Sequence, residues 1–299
     1  MKIFLTGSTG FVGQNLLASL QDKELFELIP VSLRGGIPSE ISPAEVYIHL
    51  AGKAHDLKNT SEESEYYKVN FELTQRLFDI FLADKEAKTF IFISSVKAVK
   101  DQLKGSLTED MVSDPQTAYG KSKQMAEEYI LSGLPDDKFV YILRPCMIHG
   151  PGNKGNLNLL YSLVSKGFPW PLGAFENQRS FCSIDNLVFV LEELLSRSDV
   201  PTGVYNIADD NSFSTNELIG LIAESQGKRP RVLKFSQNTI KGLAKIGDVI
   251  KLPLNTERLE KLTESYLVSN HKLKKAIGKP LPINAKDGLL KTFKSFESK

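Results

Sequence analysis

Short apolar runs recur along the first half of the chain, at 2–5, 28–33, 46–50, 90–93 and 140–143, and amphipathic stretches separate them. The runs are too short for helices and rich in Ile, Val, Leu and Phe, so they read as strands buried on both faces. Between them, Val69, Leu73, Leu77 and Ile80 fall three or four apart and predict a helix over 66–81. A second helix is predicted over 119–131. This alternation of strand and helix predicts an α/β fold in which helices cover a parallel sheet.

The rhythm loosens after His149-Gly150-Pro151-Gly152. Residues 166–173 carry the Gly and Pro of an irregular loop or short strand, a helix returns over 184–195, and Tyr205-Asn206-Ile207-Ala208 reads as one more strand. The remainder, rich in Lys and Leu, predicts small helices and connections. No internal repeat or low-complexity linker interrupts the 299 residues, and that length suits one large domain with a smaller attachment. The expected division is 1–153, joined by parts of 180–210, against 154–179 together with 211–299.

Charge removes some functions. Lys and Arg number 37 against 36 Asp and Glu, a net charge of +1, which sets up no global field toward nucleic acid or an anionic membrane. Any anionic ligand must be held by local groups. The two cysteines, Cys146 and Cys182, form no C-x-x-C pair and read as packing residues of a reducing compartment. Residues 1–5 are already strand-like and run into a glycine turn, leaving no room for a signal peptide, and no apolar run approaches the ~18 residues that span a bilayer. The expectation is a cytoplasmic, soluble protein without nucleic-acid binding or membrane insertion. His49, His55 and His271 lack the spacing to acids or cysteines that a metal site needs, so no metal is expected.

The first chemical signal is Gly7-Ser8-Thr9-Gly10-Phe11-Val12-Gly13, directly after the first strand and opening a helix through Leu20. A diphosphate needs close backbone approach and free N–H groups at a helix start, which glycines at these places supply. The turn therefore predicts a bound dinucleotide. An acid at the end of the second strand would hydrogen-bond the ribose of NAD, but Ser32, Leu33 and Arg34 stand there. Arg34 can accept a 2′-phosphate, which favours NADP(H) over NAD(H), or it can be a solvated loop arginine.

The second signal is Tyr119-Gly120-Lys121-Ser122-Lys123, which puts Tyr119 and Lys123 on one helix face. Upstream, the strand at 90–93 ends in Ser94 and Ser95, and in an open α/β sheet the ligand crevice lies beyond the carboxyl ends of the strands. A tyrosine with an ordinary pKa of about 10 needs a nearby cation to exchange protons near neutrality, and Lys123 is that cation. Ser95, in preference to Ser94, would hold the reacting oxygen. Tyr119, Lys123 and Ser95 together predict hydride transfer, with Lys123 also reaching the nicotinamide ribose.

These motifs resemble the extended short-chain dehydrogenase/reductases, in the branch of NAD-dependent epimerases and dehydratases, over nearly the whole chain. That resemblance implies a Rossmann-type doubly wound parallel sheet with a smaller C-terminal substrate-binding domain. His49-Leu50-Ala51-Gly52 resembles the family's fourth-strand H-x-A-[AG] segment beside the cofactor, and Val69-Asn70 matches the helix that follows. Leu143-Arg144-Pro145 with 149–152 resembles its L-R-P…Y-G-P-G segment near the nicotinamide. Leu50, Ala51, Gly52 and Pro145 thereby join the cofactor-binding set.

By the same resemblance, Arg179 in the 179–187 stretch binds a substrate diphosphate, and Lys154-Gly155-Asn156 matches a loop whose asparagine contacts it. A rim arginine paired with a carboxylate is the alternative for Arg179. Residues 170–175 would lie near a uracil base, and His55 would line the mouth or sit solvated in a loop. Val99-Lys100 departs from the usual Tyr-Gly, and no R-P-G-D segment follows, so Arg258 is offered as its substitute. The likeness points to UDP-hexose 4-epimerases and the C4-ketoreductases that make UDP-N-acetyl-deoxyhexosamines.

The leading expectation is a 4-ketoreductase acting on a nucleotide sugar, because Arg34 suits a cofactor drawn from the reduced NADPH pool. The alternative is a 4-epimerase of UDP-glucose or UDP-N-acetylglucosamine. A dehydratase would need an acidic pair where Val96-Lys97 stands, and a non-catalytic NAD(P) sensor would have no use for Ser95, Tyr119 and Lys123 together. Relatives dimerise through two helices per subunit, and 66–81 and 119–131 would serve here, although their apolar faces equally suit covering the sheet.

Overall fold

A computed structural model describes all residues except 22, 39–40, 54–61, 154, 251–254 and 298–299. Its first half runs β1 (Lys2–Thr6), α1 (Phe11–Leu20), β2 (Glu27–Val31), β3 (Val46–His49), α2 (Glu63–Tyr66), α3 (Leu73–Ala83), β4 (Thr89–Ile93), β5 (Ser106–Leu107), α4 (Ala118–Ser132) and β6 (Phe139–Pro145). Next come β7 (Met147–His149), α5 (Asn156–Ser165), β8 (Arg179–Ser183), α6 (Ile184–Ser196), β9 (Gly203–Ile207) and β10 (Ser212–Phe213). The chain closes with α7 (Thr215–Ser225), α8 (Gln237–Ile250), α9 (Thr256–Thr263), β11 (Leu267–Val268), α10 (His271–Ile277) and α11 (Ala285–Lys294).

Strands β2, β1, β3, β4, β6 and β9 lie side by side in that order, all parallel. Successive residues of one strand enter different cores. Ile3 and Leu5 pack with Leu16, Leu20, Leu187 and Leu191 on the α1 and α6 side, whereas Phe4 packs with Tyr47, Phe78, Phe81 and Phe90 on the other. Helices on both faces explain why these strands carry no polar alternation, and each such buried side chain contributes about 1.5–3 kcal/mol. A further cluster, with Leu157, Phe175, Phe181, Leu218, Ile222, Leu289 and Phe293, ties α5, β8, α7 and α11 together.

Two sequence expectations change. The helix predicted over 66–81 begins at Glu63, and its middle, Tyr67–Glu72, is π-helical before α3 continues. The wider π turn shifts the helical register, so that Asn70 is fully buried while Leu77 and Phe81 still face the core. The H-x-A-[AG] segment follows the third strand of the chain rather than a fourth, because the described residues between β2 and β3 form turns and bends. Cys146 and Cys182 are buried in the core, where desolvation pushes both thiols well up. No helix among the described residues is long and apolar enough to cross a membrane.

Candidate active site

The chain reverses direction in the sheet between β1 and β3, since β2 lies on the far side of β1. A crevice opens at such a switch point, beyond the carboxyl ends of the strands. Gly7 leaves β1 with φ +71°, and a Cβ there would stand 2.6 Å from the Ala51 nitrogen. A Cβ on Gly13 would stand 2.3 Å from the Gly7 carbonyl oxygen, so the turn closes on itself only with glycine. Gly10 caps α1 without a side-chain partner, and no acid occupies the first turn. Uncapped amides at this positive helix end, pressed against 50–52, make a cradle that fits a dinucleotide diphosphate.

Thr9 and Gly10 are exposed at the crest of the turn, and Phe11 and Val12 open the helix behind them. Gly150 is wedged into the same region, with a Cβ there only 2.2 Å from Ile184 and 3.3 Å from Phe11. Arg34 is exposed in the turn after β2, and Pro145 closes β6.

A buried hydrogen-bond chain fixes the 50–53 backbone. The Ala51 amide donates to Thr6 Oγ1 at 3.2 Å, Thr6 Oγ1 lies 2.7 Å from His49 Nδ1, and His49 Nε2 lies 2.9 Å from Thr74 Oγ1. Thr74 spends its one proton on the Asn70 carbonyl at 2.8 Å, so His49 donates from Nε2 and accepts at Nδ1. Burial pushes the His49 pKa down to about 3, helped by the charge of Lys123, so the ring is neutral. Asn70 then clamps Lys53, accepting from its amide at 2.7 Å and donating to its carbonyl at 3.1 Å. Thr6 and Thr74 escaped the sequence reading. Their only signal was a hydroxyl in an otherwise apolar strand or helix face.

Helix α4 carries Tyr119 and Lys123. Thr117 caps it by accepting from the Gly120 amide at 3.1 Å, and a Cβ on Gly120 would stand 2.5 Å from the Lys97 carbonyl oxygen. That close approach seats α4 on the short turn Val96–Ala98, which Ser95 caps by accepting from the Lys97 amide at 3.2 Å. The Ser95 hydroxyl also stands beside the Tyr119 phenol. Burial raises the phenol pKa and the neighbouring Ser95 hydroxyl opposes that rise. Lys123, on the same face, donates to the Ile93 carbonyl at 2.8 Å and lies 4.6 Å over the Phe92 ring. Desolvation brings its pKa down to about 8 against the opposing pull of Glu127.

The two serines have different partners. Ser94 donates to Glu127, which also forms a buried ion pair with Arg144 through Nε at 3.0 Å and Nη2 at 2.5 Å. Glu127 was absent from the sequence reading, although its place four residues past Lys123 on one helix face was the available signal.

The substrate residues named from sequence fall in separate places. Asn156 is exposed at the first position of α5, while Lys154 and His55 lie outside the described residues. Arg179 begins β8 and reaches across to the end of α9, donating to the carbonyls of Glu264 at 3.1 Å and Lys261, with the Glu264 carboxylate 3.5 Å away. Arg258 is exposed in the first turn of α9. Trp170, Leu172 and Phe175 are packed into the core around α5 and α7, so their side chains fill space there rather than standing free for a base.

A protein-family model described as the NAD dependent epimerase/dehydratase family matches residues 35–208. The UDP-glucose 4-epimerase of Vibrio cholerae is 34% identical over 250 residues, covering 74% of this chain and 75% of its own. The N-acetyl-alpha-D-glucosaminyl-diphospho-ditrans,octacis-undecaprenol 4-epimerase of Escherichia coli O157:H7 is 28% identical over 246 residues, covering 76% and 73%. Among solved structures, RMD from Pseudomonas aeruginosa complexed with NADPH matches with a TM-score of 0.74 across 100% of this chain and 99% of its own, at 22% identity.

Proposed function

The chain belongs to the NAD dependent epimerase/dehydratase family and is an NAD(P)-dependent enzyme, and we propose that it reduces the 4-keto group of a nucleotide sugar, drawing on NADPH. The observation that carries this reading is the grouping of the Ser95 hydroxyl with the buried Tyr119 phenol, and the Lys123 ammonium one helical turn along the same face. When bound, the reduced nicotinamide supplies a hydride to the carbonyl carbon.

The chain's own residues handle the oxygen. Ser95 holds O4, and Tyr119 gives it the proton that turns the growing alkoxide into a hydroxyl. Lys123 stabilises the phenolate left behind, at a site dry enough to lower its own pKa. Asn70, through Lys53, keeps the backbone beside the glycine turn in place. Residues 1–153 with parts of 180–210 hold the dinucleotide in this reading, and 154–179 with 211–299 hold the nucleotide sugar. Arg179 and Asn156 meet its diphosphate, with Arg258 as a further cation.

Arg34 favours reduction, because an exposed cation past β2 and the lack of an acid there suit a 2′-phosphate. A second reading, 4-epimerisation with retained NAD⁺, is favoured by the relatives from Vibrio cholerae and Escherichia coli, both 4-epimerases. Mass analysis of the nucleotide that co-purifies, followed by assay with a UDP-4-keto-hexosamine and NADPH, separates the two. Stoichiometric loss of NADPH is expected. Tightly held NAD⁺ with cofactor-free interconversion of UDP-glucose and UDP-galactose would overturn the reductase reading.

A further inference from the structure

Helix α8 has two apolar faces and uses only one. Ile240, Ala244 and Gly247 are buried, and the helix packs against α9. At about 100° per residue, Leu243, Ile246, Val249 and Ile250 fall on a separate arc of about 120°. They are 50%, 53%, 80% and 60% exposed, an unusual density of bare aliphatic surface for one helix. Lys241 and Lys245 lie between this arc and the buried stripe, both exposed. The strand-like lead-in adds exposed Leu233 and Phe235 beside Lys234 and Arg231.

Charge decides what can cover this face. Residues 228–250 hold six cations and one carboxylate, in a chain whose net charge is only +1; Lys228 and Arg231 turn to the Ser165 and Gly167 carbonyls at 3.3 and 3.2 Å, and Lys241 and Lys245 border the face. The one carboxylate, Asp248, is turned to the start of α9, accepting from the Thr256 amide at 2.9 Å and its hydroxyl at 2.5 Å. Size argues against a second copy. A helix of 14 residues is about 21 Å long and about 10 Å wide, so its face offers about 200 Å², short of the roughly 800 Å² each partner gives to a standard interface.

We propose that this face docks the protein on an anionic phospholipid bilayer, with the four aliphatic side chains at the acyl boundary and Lys241 and Lys245 among the headgroup phosphates. Lysines flanking an apolar helix face are the arrangement that lies flat in a membrane interface. The docking is peripheral and local, so a near-neutral chain achieves it without a global field.

Sedimentation of the full chain with vesicles tests the proposal. Phosphatidylglycerol/phosphatidylethanolamine vesicles should pellet the protein, phosphatidylcholine vesicles should not, and added salt should release it. I246E/V249E and K241E/K245E should each lower the bound fraction about tenfold while circular dichroism and Tm match the parent. K241E/K245E, which alters only exposed lysines, serves alone if the other variant fails to fold. Absence of pelleting by the parent, or unchanged pelleting of the folded variants, overturns the proposal. So does light scattering that finds a dimeric parent and a monomeric I246E/V249E, since the face would then join two copies.

Discussion

The hydroxyls of the adjacent residues Ser94 and Ser95 serve different partners: Ser95 meets the Tyr119 phenol, and Ser94 is tied to Glu127 beneath it. Both partners lie on α4, Tyr119 in its first turn and Glu127 about two turns further along, so the two hydroxyls divide between places on one helix. Replacing Tyr119 with Phe should lower kcat by about 10²–10⁴-fold with NADPH affinity unchanged. Ser95→Ala should also lower kcat. Ser94→Ala should instead lower stability by about 1–3 kcal/mol, since Glu127 loses a buried donor. Steady-state kinetics, NADPH titration and thermal melts on the three variants check the assignment, and a Ser94→Ala variant with the larger kcat defect would reverse it.

Lys123 gives a pH signature. Its folded pKa of about 8 lies below the ordinary 10.5, so the unfolded chain holds this proton more tightly. The charged lysine therefore costs the fold its full penalty below pH 8, and the cost disappears as pH rises toward 10.5. Lys123→Met should be inactive, and its stability relative to the parent should be most favourable at pH 7 and decline between pH 8 and 10. Melts of both proteins across that range measure the difference. A gap that widens with pH contradicts the burial of the charge.

His49 works in the opposite pH range. It is neutral and buried, with a pKa of about 3 against the ordinary 6.5, so folding stability from this group is present above 6.5 and lost as pH falls toward 3. The slope is about 1.4 kcal/mol per pH unit while one proton is taken up. His49→Gln should flatten the acid limb of the stability profile. It should also weaken NADPH binding, because the Thr6–Ala51 bond loses its anchor.

Arg34 separates the cofactors. Arg34→Ala should raise the Kd for NADPH by about tenfold to a hundredfold, the worth of a charged hydrogen bond, and leave NADH unaffected. Equal effects on both cofactors would make Arg34 a solvated loop residue.

Sequence alone determined the parts that depend on local periodicity. Apolar runs of strand length fixed the six parallel strands, the 7–13 glycines fixed a turn that no side chain can enter, and a four-residue spacing put Tyr119 and Lys123 on one face of α4. These are properties of neighbours along the chain, so they are legible without contacts. Tertiary structure decided whatever depends on residues far apart. The hand-off of Ser94 to Glu127, the links from Ala51 through Thr6 and His49 to Thr74, and the docking of Arg179 on the end of α9 join residues 25 to 85 positions apart. The π turn at Tyr67–Glu72 and the second, unburied face of α8 belong to the same class. A helical stripe looks alike in sequence whether or not a partner covers it, and only packing decides which stripe is buried.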